Sequence, residues 1–387
     1  MRLAACTVAA ALLQIDGTLI TVALPSVGRG LHVSAGSTSA VLSVYFVAYA
    51  LMLLPGGVLV DRFGSRLMVL CGLAVFAVGA ATGALCTALG PLIVTRVVQG
   101  IGAGLVSPAA LAGAVSGFPP QRRGSALGIW GASAGIANLI GPLLGGLLTV
   151  ALGWRADWWA LVPLALLAGL ATARWLPRVP TLERAGGAVN PIVIAATCVA
   201  AITFAVMIGS FYLAEQYLQR AKGFSALGAS AVLVLVALLV GVAAPVAGRL
   251  VDQRGERLTA VAGFLLAALG LAVLAIPSVS LSGPASIVPL TPVGIGLGLL
   301  FVPASRAALN SNPTASHGRT SAVLSVGRLL GAGVGAGLAG LAIGSGPTAS
   351  TVHTALLCAA LLCIAVGIPA AAKLGPSPRA ASEAAAG

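Results

Sequence analysis

The stretch Gly57-Val-Leu-Val-Asp61-Arg62-Phe-Gly64-Ser-Arg66 sets a carboxylate and two guanidinium groups between two apolar runs, each long enough to cross a bilayer. It has a second copy further along the chain, Gly248-Arg-Leu-Val-Asp252-Gln-Arg-Gly255-Glu-Arg257. Gly, Leu, Val, Asp, Gly and Arg return there in register, acid and base included, so the chain reads as two halves built on one plan.

Around these copies the composition is that of a chain dissolved in lipid. Hydrophobic residues make up 59% and charged residues 7%, against about 25% charged in a soluble domain, and the mean hydropathy is +1.07. Runs of near 20 apolar residues predict twelve spanning helices. They begin near Leu3, Ser39, Leu67, Pro91, Ser125, Trp158, Pro191, Ala226, Leu258, Ile287, Thr320 and Thr351. The expected fold is an all-α membrane protein of two pseudo-twofold-related six-helix bundles. The bundles span residues 1–176 and 191–374, joined by a cytoplasmic linker at 177–190 and followed by a tail at 375–387.

A net charge of +13 raises the question of nucleic acid, but a phosphate-binding chain gathers its bases on one soluble face. Here they alternate between loops. With the amino terminus inside, Arg29, Arg155, Arg220 and Lys222 fall outside, Arg96 and Arg328 fall within spans, and the other Lys and Arg fall in or beside cytoplasmic segments. That asymmetry predicts a multi-pass cell-membrane protein with both termini cytoplasmic. Cys6, Cys71, Cys86, Cys198, Cys358 and Cys363 show no metal spacing and are expected as small core residues of spans. Gly131-Ala-Ser133-Ala-Gly135 matches a hydrolase elbow and Gly335–Gly340 a dinucleotide loop, yet neither has the strand context such motifs need. No enzyme, cofactor or metal is expected.

Polar residues inside the spans are the functional candidates. Asp16 lies in the first span, nearly opposite Gln14, Thr18 and Thr21, and is expected to face the bundle interior; neutralisation by a local base or water is the plainer reading. Arg96 lies in the fourth span with Gln99 one turn on, and cannot shed its proton. Asp16 is its candidate partner, no other acid of the first half being expected within a helix; backbone carbonyls are the alternative. Tyr45, Tyr49, Gln99, Trp130, Asn138 and Phe211 are candidates for a substrate cavity, with plain helix packing equally open.

The repeated acids suggest a gate. Asp61 ends the second span and Asp252 the eighth, and a carboxylate is stabilised at a helix amino terminus. Across the pseudo-twofold the helix starts best placed are Thr320 for Asp61 and Ser125 for Asp252, and the two helices align Arg123 with Arg319 and Ser125 with Ser321. Arg62, Arg66 and Arg319 would complete the first latch and Arg257 with Arg123 the second, closing the cytoplasmic side. Loop charge placed only for orientation is the other reading.

Twelve spans in two similar halves, with these motifs, resemble the major facilitator superfamily over nearly the whole chain. Gly57, Asp61, Arg62, Gly64 and Arg66 are similar to its signature loop after the second helix. Leu92–Gly104, with Arg96 and Gln99, resembles the fourth-helix signature that the family links to proton coupling. Gly128, Gly141, Pro142, Gly145 and Gly146 resemble its fifth-helix antiporter signature, with Ala137 where Gly is usual; Gly141-Pro142 is expected to bend or loosen the helix. Ile15–Pro25 is similar to a first-helix motif of the multidrug-resistance drug:proton antiporters, with Thr21 where Asn is usual. Those relatives normally have fourteen helices, and the 177–190 linker is too short for the extra pair.

The resemblance implies a monomeric, proton-coupled antiporter exporting small, largely apolar organic compounds by alternating access. Its partners would be protons, the substrate and the bilayer. Asp16 would carry the proton and Arg96 would sense its charge. A facilitator or importer of a small metabolite is the alternative.

Overall fold

A computed structural model describes residues 1–33, 35–177, 189–216, 218, 226–276, 287–343 and 348–375, and almost all of them are helical. The helices are α1 (Arg2–Gly30), α2 (Ala35–Phe63), α3 (Ser65–Ala84), α4 (Leu89–Val115), α5 (Arg123–Leu152), α6 (Arg155–Trp175) and α7 (Pro191–Gln216). They continue with α8 (Ala226–Arg254), α9 (Glu256–Leu274), α10 (Ile287–Leu300), α11 (Pro303–Asn310), α12 (His317–Ile343), α13 (Ala349–Leu362) and α14 (Ile368–Ala372).

A helix satisfies every backbone donor and acceptor within one segment, which lipid demands. Eleven stretches among the described residues are long and apolar enough to cross a membrane, and the 30-residue α5 stands in the place of the twelfth. Large apolar side chains such as Leu51, Leu85, Leu143 and Val150 point outward. In water they would be aggregation sites; in a bilayer they face their own solvent.

The tenth expected span is broken. Pro303 has no N–H to continue α10, so the chain turns at Phe301-Val302 and restarts as α11 with the proline in its first turn. The twelfth carries a π turn at Cys363–Gly367 just before Pro369. By contrast α5 runs unbroken through residues 141 and 142. Cys86 lies in the loop after α3 rather than in a span, and Cys71, Cys198 and Cys358 are exposed, not core.

The chain forms two compact units. One comprises Met1–Gly117, Ile136–Ala188 and Asn312–Val326; the other comprises Phe118–Gly135, Val189–Ser311 and Gly327–Gly387. Residues 178–188 of the expected linker and 376–387 of the expected tail lie outside the described residues.

Each unit repeats one packing device. In the first, a Cβ on Gly72 would sit 2.8 Å from the Gly102 carbonyl and one on Gly102 would sit 2.6 Å from the Gly72 carbonyl, so α3 and α4 meet backbone to backbone. In the second, Gly263 and Gly296 do the same for α9 and α10, at 3.0 and 2.6 Å. Small residues permit this approach where packing, not hydrophobicity, holds helices together.

Candidate functional site

Asp16 of α1 and Arg96 of α4 meet inside the first unit, both fully buried. Arg96 Nη1 donates to Asp16 Oδ1 at 2.8 Å, to Asp16 Oδ2 at 3.1 Å and to Gln99 Oε1 at 3.0 Å. Its Nε donates to the Val41 carbonyl at 3.1 Å, and the Tyr45 ring lies 4.2 Å beneath the guanidinium carbon. Arg96 Nη2 and Gln99 Nε2 have no acceptor among the described residues. A buried pair of this kind is costly to split, about 3–5 kcal/mol when one partner is removed.

Tyr45 and Gln99, expected on a cavity wall, therefore pack around this pair instead. Tyr49 is half-buried with its ring 6.0 Å from that of Tyr45. Phe211 lines a small cavity of about 20 Å³ with Ser210, Val236 and Leu271. The side chains of Asn138 and Pro142 lie outside the described residues.

Asp157 corrects the expectation that the first half holds no second acid within a span. It is fully buried in the first turn of α6, where the Thr149 hydroxyl donates to its Oδ2.

The two copies of the charged stretch build matching clusters, one in each unit. Asp61, at the last turn of α2, accepts from the backbone N–H of Gly318 at 2.7 Å and of Arg319 at 3.2 Å, and from Arg319 Nε at 2.8 Å. Asp252, at the last turn of α8, accepts from the backbone N–H of Gly124 at 2.9 Å and of Ser125 at 2.8 Å, and from the Ser125 hydroxyl at 2.5 Å. These are unsatisfied first-turn donors of α12 and α5, which a carboxylate suits by charge as well as geometry.

The pairing also corrects the register. Gly318 matches Gly124 and Arg319 matches Ser125, two residues off the alignment of Arg319 with Arg123. A proline followed by a one-turn 3₁₀ helix precedes both starts, Pro119 before Pro120–Arg122 and Pro313 before Thr314–Ser316. Thr320 consequently lies beyond Asp61, and its hydroxyl donates to the Ser316 carbonyl.

The repeated glycines follow from this geometry. A Cβ on Gly57 would fall 2.7 Å from the Gly318 carbonyl, and one on Gly248 would fall 2.5 Å from the Gly124 carbonyl. Gly64 and Gly255 turn the chain into the next helix at φ 84° and 87°, where a side chain is strained.

Of the cations expected in the latches, Arg319 pairs with Asp61, and the others are engaged elsewhere or exposed. Arg66 donates to the Ala173 carbonyl at the end of α6, Arg62 lies over the Phe63 ring, and Arg257 is exposed. Arg123 donates to Asn310 Oδ1 at 2.9 Å. The base beside Asp252 is Arg306, with Nε 3.4 Å from its Oδ1 and Nη1 2.7 Å from Glu256 Oε1. The sequence held a signal for it: an Arg within the apolar run from Ile287 to Asn310, counted there as loop charge.

Along α5, Gly128 meets the Ala244 carbonyl and Pro245 of α8, Gly141 meets Thr18 and Gly145 meets the Leu19 backbone, both of α1. A Cβ on Gly146 would find only Val22, at 4.0 Å. Trp130 lies under the guanidinium of Arg328.

The family model described as Major Facilitator Superfamily matches residues 6–336 and again 195–386. The chain is 36% identical over 171 residues to the tetracenomycin C resistance and export protein of Streptomyces glaucescens, covering 43% of this chain and 32% of that protein. It is 25% identical over 385 residues to the multidrug resistance protein Stp of Mycobacterium tuberculosis, covering 83% and 71%. Its matches span about a third of the length of the first such relatives. The fold is that of the proton:xylose symporter XylE bound to 6-bromo-6-deoxy-D-glucose, with a TM-score of 0.76 at 15% identity over 95% of each chain.

Proposed function

The chain belongs to the Major Facilitator Superfamily, a family of membrane transporters, and from that premise we propose that it is a proton-coupled antiporter exporting small, largely apolar organic compounds. The observation that carries this reading is a titratable acid held at membrane depth against a permanent cation, Asp16 against Arg96. The resistance and export proteins it resembles support drugs or antibiotics as the cargo.

In the proposed cycle a proton from outside adds to a carboxylate oxygen of Asp16. The neutral carboxyl no longer balances Arg96, which is left with the Gln99 Oε1 and Val41 carbonyl acceptors it already holds. Loss of the proton to the cytoplasm restores the pair. A change of charge state that one conformation tolerates better than another is what couples proton flow to alternating access.

The moving bodies are the halves 1–176 and 191–374, with both termini at the cytoplasmic side of the cell membrane by the distribution of Lys and Arg. Asp61 and Asp252 act as latches at that side, each a carboxylate on a helix start, formed in one state and released in the other.

The test is expression in a host stripped of its own pumps, challenged with a panel of toxic compounds with and without a protonophore. Raised tolerance that the protonophore abolishes is the expected result. Greater sensitivity would mean uptake and would overturn the direction.

A further inference from the structure

The second unit holds a membrane-buried cation that neither the proton step nor the latches employ. Arg328 of α12 is 8% exposed. Its guanidinium carbon lies 5.5 Å from the ring centroid of Trp130 of α5 and 5.8 Å from that of Phe204 of α7. Its Nη2 donates to the Ser305 hydroxyl of α11 at 2.6 Å. Phe301, in the turn before α11, completes the wall, its ring centroid 5.5 Å from that of Phe204.

Trp130 adds the decisive feature. Its Nε1 is buried and has no acceptor among the described residues. Indole can only donate, so this atom calls for an oxygen, and the neighbouring positive charge favours an ionised oxygen over a neutral one. A cationic ligand would meet the guanidinium. The rings of Phe204 and Phe301 offer an apolar, aromatic surface beside the donor.

We propose that Trp130, Arg328, Phe204 and Phe301 form a binding site for an aromatic organic anion, a ring bearing a carboxylate. The ionised oxygen accepts from Trp130 Nε1 in the field of Arg328, and the ring lies against the phenylalanines. This rests on the transporter reading above and names one class of its cargo. Because a guanidinium keeps its proton across the physiological range, the preference holds unchanged from about pH 6 to pH 8.

Equilibrium titration of the purified full-length chain with radiolabelled 1-naphthoate and with neutral 1-naphthamide tests it. The wild type is expected to bind 1-naphthoate about tenfold more tightly than the amide. Arg328→Gln should erase that preference and Arg328→Lys should keep most of it. Trp130→Phe, which retains a ring and removes the donor, should weaken 1-naphthoate binding about tenfold. Unfolding midpoints of each variant show that it is folded; should Arg328→Gln fail to fold, Trp130→Phe decides.

No binding of 1-naphthoate, equal binding of the two probes, or equal weakening of both by Arg328→Gln would overturn the proposal and leave a packing role. The titration needs no proton gradient. A chain that discriminates the probes but exports nothing keeps this site and loses the export reading.

Discussion

A carboxylate and a guanidinium that share a buried site commit each other to charge, and in the proposed cycle one proton on Asp16 undoes that commitment. Asp16→Asn keeps the shape and removes the proton, so proton-driven efflux should fall to the level of cells lacking the protein while its abundance in the membrane stays the same. Efflux assays paired with membrane immunoblots measure both. At the second cluster the same physics bears on stability. Arg306 is 3% exposed against Glu256, whereas Arg319 is 32% exposed against Asp61. Arg306→Met should therefore cost about 3–5 kcal/mol by leaving a buried acid alone, and Arg319→Met about 0.2–1 kcal/mol. Thermal unfolding in detergent reads the difference. Asp16 and Arg96 were legible as candidates because a charge inside an apolar run stands out in a sequence. Arg306 and Glu256 were not, because Arg306 sits near the end of its run and the burial of Glu256 exists only once α9 and α11 pack.

Helices carry the latches through close approach, and glycine decides how close. Gly57 stands against Gly318 and Ala322, with a Cβ position 2.6 Å from that of Ala322, so Gly57→Val should push α2 and α12 apart. Transport should fall severalfold with insertion intact, and a cysteine in place of the buried Ser321 of α12 should react faster with a water-soluble thiol reagent. An unchanged rate would mean that the cluster tolerates the separation. Gly64→Ala tests backbone conformation alone: φ 84° with ψ 154° costs an L-residue about 1–3 kcal/mol, which a lower unfolding midpoint would register. Existence of the spans was legible from apolar run length. Their ends were less so: the helix starts at Gly124 and Gly318 are set by the prolines and 3₁₀ turns before them, and an alignment made on Arg and Ser slipped by two residues. The restart at Pro303 was hidden because the run stays apolar across it.

At the scale of the molecule, duplication is written twice, in the charged stretches and in the glycine pairs Gly72–Gly102 and Gly263–Gly296. Six identities in ten residues made the first visible in the sequence; the second emerged only when backbones were seen to touch, since glycine abounds in this chain. In the proposed cycle the repeats supply the frame and Asp16 of the first unit supplies the coupling. Proton coupling through Asp16 is the central claim. The direct measurement is proton flux in proteoliposomes holding the full chain under an imposed pH gradient, on adding whichever compound gives the strongest protection in cells. Compound-dependent dissipation of the gradient by the wild type, and none by Asp16→Asn, is expected. Equal dissipation by both would contradict it.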